Sequence, residues 1–419
     1  MASPVSALRR FVFALLFVFA IFPPAPSASE DQAPPPESVS VQPARLSCGG
    51  GLEDYDYTIQ NGLYATITAF SGFEEPKIRD EDEVKVKGVP GIEKEVKVKV
   101  LWQERPAPLA VLLLGLATRS KSPLAQLWKQ QMYDAGCHVL TFDSVFLPAF
   151  NERSRHGVPG NVHEEARLVA GLIGKFVESG KHKDRVTDVR ILGASYGGIL
   201  ALNLPAMARK GELSFQPAKV LAVSPPVSMR TAAVRLDDFY RRYRWNYTLV
   251  KLGGDLLGHK PVGPGEAIPF TDEEMKAGIA AAFRLDLKEV IDYSDSRYKL
   301  GLLPKSGLHG DEYRRDTAGT WTFERYLYEM VYPYWQQQGK VESIDQMWSA
   351  GRVETLMAGA PNTVRVILAA DDPLNEPAEL ERLRSEVPCC QLTVLPYGGH
   401  MGFVGTQWLK KQLLEFGKP

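Results

Sequence analysis

The chain has 419 residues, 44% hydrophobic and 24% charged, which is enough apolar material for a sizeable core without disulfide or metal staples. Basic residues number 49 and acidic residues 50, for a formal charge of -1. That balance excludes a strongly basic nucleic-acid binder and an acidic disordered chain. Length alone suggests two or three domains, and no internal repeat marks a solenoid or propeller.

Residues 1–29 read as an export signal. Arg9 and Arg10 form a basic start, Phe11 to Phe22 is an unbroken apolar run, and Ser27-Ala28-Ser29 is a fitting cleavage site. The run falls short of the roughly 20 residues a spanning helix needs. An exported chain is expected in the periplasm or outside the cell; the alternative is an uncleaved N-terminal anchor. Residues 30–49 are rich in proline and serine and read as a flexible spacer. Cys48 does not sit in a lipid-attachment box, because Arg45 stands where an apolar residue is needed. The other cysteines are Cys137, Cys389 and Cys390. Export permits one disulfide, but four cysteines are too sparse for a disulfide framework. Most of them read as small buried hydrophobes.

Next come β-rich stretches at Ala65 to Phe70, Glu83 to Val86 and Glu95 to Trp102. In the last, Val96, Val98, Val100 and Trp102 share one face. Leu109 to Leu114 is a continuous apolar run, as expected of a strand covered on both faces. Ser122 to Ala135 reads as helix, His138 to Phe142 as strand, and His163 to Glu178 as an amphipathic helix capped by Asn161. Strand Val189 to Leu192, helix Gly197 to Arg209 and strand Val220 to Val223 follow. Strands return at Val364 to Ala369 and Leu392 to Val394, with helices at Ala378 to Glu386 and Thr406 to Phe416. Alternating strands and helices imply right-handed βαβ units and a mostly parallel sheet with helices on both faces. The alternation stops over residues 226–360. There Thr271 and Glu274 form a capping box ahead of helix Met275 to Val290, and Trp321 to Trp335 is dense in aromatic residues. The expected organisation is an α/β core over 50–225 and 361–419, interrupted by a helical cap insertion over 226–360.

The sharpest chemical signal is Gly193-Ala194-Ser195-Tyr196-Gly197-Gly198, between an apolar strand and a helical stretch. A serine there sits on a sharp turn, with its hydroxyl above the sheet edge beside the first N–H groups of a helix. A serine hydroxyl is a weak nucleophile and needs a base, which in turn needs an orienting acid. The expected order is Ser, then Asp or Glu, then His. Strand Val364 to Leu368 runs into Ala370-Asp371-Asp372-Pro373, and strand Leu392 to Leu395 runs into Gly398-Gly399-His400-Met401. All three side chains therefore reach one sheet edge. Asp372, directly before Pro373-Leu374, is preferred as the acid over Asp371, which then serves as a turn or cap residue. The oxyanion-hole donors fall on the N–H of Tyr196 and that of Leu116, with Ala117 the alternative to Leu116.

Gly115-Leu116 with Ser122-Pro123, the Gly193 to Gly198 motif, Ala370-Asp371-Asp372-Pro373 and Gly399-His400-Met401-Gly402-Phe403 together resemble the α/β-hydrolase superfamily. Within it they look like the bacterial and membrane-associated ester hydrolases related to monoacylglycerol lipases. The resemblance implies an α/β-hydrolase fold with a central eight-stranded sheet, a helical cap after the sixth strand, and a Ser195, Asp372, His400 triad. Leu114 stands where the family usually has His, and Thr118 near where a glycine often follows.

No metal- or nucleotide-binding motif is present, so neither metal nor cofactor is implied. Arg235, Arg241, Arg242 and Arg244 cluster with Phe239, Tyr240, Tyr243 and Trp245. This reads first as a solvated helix face, and otherwise as a contact for a membrane surface or an anionic substrate. The expected activity is an exported serine hydrolase acting on small-molecule esters. The alternatives are a peptidase or amidase on the same fold, or a catalytically silent binding protein.

Overall fold

The computed structural model describes residues 52–418 except 53, 70–72, 74, 79–80, 180–181, 244–261, 264–265 and 306–309. The signal and spacer readings, Cys48, Arg244 and Trp245 lie outside the described residues, as do the side chains of Arg242 and Tyr243.

In chain order the elements begin with α1 (Gly62–Ile67), β1 (Asp82–Val86), β2 (Val96–Leu101), β3 (Ala107–Leu113), α2 (Pro123–Asp134), β4 (His138–Thr141) and α3 (Pro148–Ser154). Then come α4 (Val162–Glu178), β5 (Val186–Ala194), α5 (Tyr196–Arg209), β6 (Pro217–Val223), α6 (Met229–Tyr243), α7 (Asp272–Tyr298) and α8 (Gly310–Gly319). A broken helix follows, made of α9 (Phe323–Tyr326), a π-helical turn Leu327–Val331 and α10 (Tyr332–Gln337). After α11 (Ile344–Ser349) and α12 (Val353–Met357), β7 (Val364–Ala369), α13 (Pro377–Glu386), β8 (Leu392–Leu395) and α14 (Gln407–Gly417) complete the chain.

The strands form one 8-stranded sheet in the order β1-β2-β4-β3-β5-β6-β7-β8. β2 is antiparallel to both β1 and β4, and the other neighbours run parallel. β3 lies at the centre, with Val111 opposite Leu140 on one side and Ile191 on the other. Its alternate residues serve two cores. Leu109, Val111 and Leu113 pack with helices α4 and α5, and Ala110 and Leu112 pack with Trp128 of α2 and Trp408 of α14. Burial on both faces is why β3 reads as unbroken hydrophobe. Near the edge, β2 alternates: Val96 and Val98 are buried while Lys97 is exposed.

Capping fixes where several helices start. Ser122, Asn161 and Thr271 each accept a backbone N–H of the first turn, and Thr271 with Glu274 completes a reciprocal box. Between β6 and β7, the described residues form helices and an isolated antiparallel bridge from Ser228 to Arg352. The apolar faces of these helices are not a separate core. Trp321, Tyr326 and Trp335 share one apolar cluster with Ile199 of α5 and Leu236 of α6. Truncating the fully buried Trp321 would cost about 3–5 kcal/mol. Among the described residues, no helix is long and apolar enough to cross a membrane.

Two expectations are corrected. Ala65 to Phe70 does not form a strand; α1 occupies this part of the chain, and Phe70 lies outside the described residues. The Asn61 side chain caps its first turn at Tyr64, and Thr66 and Thr68 donate their hydroxyls to the carbonyls four residues back, at 2.6 and 2.8 Å. The β-branched residues that suggested a strand are thus satisfied within a helix. Of the three described cysteines, Cys137 alone is a small buried hydrophobe; Cys389 is disulfide-bonded, and Cys390, in the turn before β8, is free and exposed.

Candidate active site

Ser195 stands between the last residue of β5 and the first of α5, with φ 50° and ψ -119°. Positive φ at a non-glycine residue is strained and persists only where the surroundings over-determine it. Here the Ser195 N–H is tied to Val223 O at 2.9 Å. The glycines around it answer to space. A Cβ at Gly193 would lie 2.3 Å from Gly197 O, and one at Gly197 would lie 2.1 Å from Leu113 O. The turn therefore tucks α5 against β3 and lifts the hydroxyl over the C-terminal edge of the parallel strands.

The loops after β7 and β8 deliver the other two groups to that edge. His400 Nε2 lies 2.8 Å from Ser195 Oγ, and His400 Nδ1 lies 2.8 Å from Asp372 Oδ2. Asp372 is buried, and its Oδ1 accepts the Leu374 N–H at 2.9 Å, which fixes the carboxylate plane. Asp371 does not touch the imidazole. It accepts the Gly399 N–H at 2.8 Å and so holds the histidine loop. Burial pushes its carboxyl up to about 6, against the pull of the backbone N–H groups of Gly399 and Gly398. Gly399 adopts φ +56°, and a Cβ there would meet Gly62 O at 2.2 Å. Helix α1 thus packs directly on this loop, and Thr66 Oγ1 accepts the His400 N–H at 2.8 Å.

The turn after β3 is closed by the Thr118 N–H bonding Gly115 O at 3.1 Å. A Cβ on Gly115 would lie 3.3 Å from Ser195 Cβ, so this loop passes beside the nucleophile. Leu116 and Tyr196 line the same cavity as Ser195, whereas Ala117, at φ 54°, does not. The N–H groups of Leu116 and Tyr196 make no hydrogen bond among the described residues. Two free donors beside the nucleophile, one of them at a helix N-terminus, suit a developing oxyanion. Leu114, where the resemblance implied His, is buried apolar core.

Behind the nucleophile lies a polar pair that the sequence reading missed. The Tyr196 hydroxyl donates to Glu165 of α4, whose other oxygen accepts the Gly160 N–H at 2.6 Å. Both side chains are buried, and burial raises the Glu165 carboxyl to about 7. Thr66 was missed as well, because α1 was read as a strand. The only sequence sign of Glu165 was an acid in the first turn of a helix, which dipole and capping arguments already explain.

The cavity beside Ser195 is apolar, with a volume of about 60 Å³. Cap residues form much of its wall, including Phe283, Phe323, Tyr326, Leu327 and Trp348. The aromatic stretch thus divides its work between core and cavity. Trp335 donates to Val158 O at 2.8 Å and Tyr326 to Pro159 O at 2.6 Å, which fastens the cap to the loop before α4. Two arginines of the cluster, Arg235 and Arg241, are paired within the protein. Arg235 donates to Pro373 O at 2.5 Å and pairs with Glu376, and Arg241 pairs with Asp238 and Glu324 at 2.9 and 3.1 Å. Phe239 is buried, and the Tyr240 ring lies under the Arg284 guanidinium at 3.6 Å.

The sequence model of the alpha/beta hydrolase family matches residues 111–408. That model is of the broad family and does not single out the branch related to monoacylglycerol lipases. No curated protein sequence matches the chain. Among solved structures, the chain is similar to brefeldin A esterase, described as a bacterial homologue of human hormone sensitive lipase, at 17% identity. That match covers 84% of this chain and 80% of that one, with a TM-score of 0.43. A Pyrococcus furiosus esterase matches at 12% identity over 82% and 98% of the two chains, TM-score 0.43. A Pyrobaculum calidifontis esterase matches at 14% over 85% and 87%, TM-score 0.40.

Proposed function

The chain belongs to the alpha/beta hydrolase family, and from that premise we propose that it is an exported serine hydrolase cleaving carboxylic esters through Ser195, His400 and Asp372. The observation that carries the reading is the unbroken relay of 2.8 Å contacts from Ser195 Oγ through His400 to Asp372. His400 Nε2 takes the hydroxyl proton as Oγ attacks the ester carbonyl carbon. The carbonyl oxygen becomes an oxyanion facing the Leu116 and Tyr196 N–H groups. Asp372 orients the imidazole and stabilises its charged form. The oxyanion then collapses, the ester C–O bond breaks as the imidazolium gives its proton to the departing oxygen, and the alcohol leaves while the acyl group stays on Ser195 Oγ. Water, deprotonated by His400, attacks the acyl-serine and releases the carboxylic acid, and the proton returns to Ser195.

A chain of near-zero net charge, with an apolar cavity against its nucleophile, suits neutral or amphiphilic esters. The test is rapid mixing of purified protein with a short-chain p-nitrophenyl ester. A burst of p-nitrophenol stoichiometric with enzyme, followed by slower turnover, is expected. Absence of both burst and turnover across short-chain esters sinks the reading, and faster turnover of aminoacyl amides replaces it with a peptidase. Export rests on Arg9, Arg10, the run Phe11 to Phe22 and Ser27-Ala28-Ser29. Intact mass of the mature chain should lack residues 1–29, and a retained N-terminus would instead mark an anchor.

A further inference from the structure

We propose that the apolar cavity is the acyl site, and that Trp348 is the wall that limits it to short acyl groups. This assignment rests on the ester-hydrolase reading above and names its substrate class.

Proton transfer fixes which half of an ester the cavity takes. The departing oxygen must lie within reach of His400 Nε2, which protonates it, so the alcohol sits on the histidine side. The cavity is lined by Ser195 and by both oxyanion donors, Leu116 and Tyr196, and His400 is not part of its lining. A group in the cavity is therefore attached to the carbonyl carbon on the side away from the leaving group, which is the acyl chain. The lining is apolar almost throughout, so it offers an alkyl chain burial and a charged or hydroxylated acid nothing to bond.

The cavity is small, about 60 Å³, which favours a short acyl chain over a long one.

What stops the chain is Trp348. This buried residue of α11 belongs to the wall of the cavity and also to the wall of a separate, open groove on the protein surface. That groove is of mixed polarity, with Arg230, Asp345 and Arg352 on its sides, and is much larger, at about 940 Å³. The indole is thus a shared partition between a small apolar space and a large open one. Its Nε1 has no hydrogen-bond partner among the described residues, so packing alone holds it. Replacing it with a small residue removes the partition and lets a longer chain pass from the cavity into the groove.

The experiment measures kcat/KM for p-nitrophenyl acetate, butyrate, hexanoate, octanoate and decanoate with wild type, Trp348→Ala and Ala233→Leu. Ala233 is a buried wall residue at which a larger side chain fills the cavity. Wild type is expected to peak at butyrate or hexanoate and to fall about tenfold or more by decanoate. Trp348→Ala should move the peak to octanoate or beyond, and Ala233→Leu should lower the hexanoate-to-acetate ratio about tenfold. Because the two variants push in opposite directions, loss of one through misfolding leaves the other decisive. A parallel series of methyl, butyl and octyl butyrates should show no matching length shift in either variant. A wild-type peak at decanoate overturns the assignment, as does an acyl profile unmoved by both substitutions or a shift confined to the alcohol series. These results differ from total inactivity toward all esters together with no labelling of Ser195, which would refute the hydrolase reading itself.

Discussion

Two adjacent carboxylates stand beside His400, and the structure gives them different work. Asp372 meets Nδ1 at 2.8 Å, whereas Asp371 bonds the Gly399 N–H at 2.8 Å. Asp372→Asn keeps the shape and removes the charge. Two unit charges about 4 Å apart at an effective dielectric of about 20 interact by about 4 kcal/mol. At 1.36 kcal/mol per factor of ten, losing that stabilisation of the imidazolium slows the reaction about a thousandfold. The tautomer adds to this. An amide nitrogen facing Nδ1 would make that atom an acceptor and put the ring proton on Nε2, where it cannot take a proton from Ser195. The combined expectation is a fall of about 10³–10⁴ in kcat/KM, mostly in kcat. Asp371→Asn retains an oxygen for the Gly399 N–H and should lose about tenfold or less. Steady-state hydrolysis of p-nitrophenyl butyrate by both variants, with circular dichroism to confirm folding, decides the matter. Equal losses in the two variants, or an Asp372→Asn enzyme within tenfold of wild type, would refute the division of labour.

Thr66→Val leaves the His400 N–H without its acceptor, a penalty of about 1–3 kcal/mol. It should lower kcat about tenfold with a smaller change in KM, and unchanged kcat would show that α1 does not position the histidine. For Glu165, burial raises the folded carboxyl to about 7 from an ordinary 4.5. Across that window the folded protein keeps a proton that the unfolded chain has released, so stability is fullest at low pH and falls as pH rises toward 7. The contribution amounts to about 3 kcal/mol. Urea unfolding at pH 5 and pH 8 should therefore show wild type losing stability across the interval, in the same sense as the raised Asp371. Glu165→Gln should lose distinctly less, and an identical pH slope would contradict the assignment of the proton to Glu165.

Much of this arrangement is legible from the amino-acid order because it depends on local rules. An apolar run such as Leu109 to Leu114 must be covered on both faces, and glycines on either side of Ser195 permit the close approach that the turn needs. The residues that follow strands β7 and β8 land on the same edge by topology alone. Less visible were the features that long-range packing decides. Thr66 supports His400 only because Gly62 lets α1 lie against the Asp371 backbone, where an added Cβ would meet the carbonyl oxygen at 2.0 Å. Glu165 looked like an ordinary acid of a first helical turn, and only the fold brings the Tyr196 hydroxyl to it. The arginines of α6 read first as a solvated helix face, which the exposed Arg241 fits, but the ion pairs of Arg235 and Arg241 with Glu376, Asp238 and Glu324 were not legible from the sequence.

Covalent labelling asks whether Ser195 is a nucleophile activated by His400. Purified protein treated with a small alkyl fluorophosphonate should gain one adduct by intact mass, located by peptide mapping on Ser195. Labelling should disappear in Ser195→Ala and slow steeply in His400→Ala. A folded wild-type protein that remains unlabelled, or one that carries the adduct on another residue, would contradict the account.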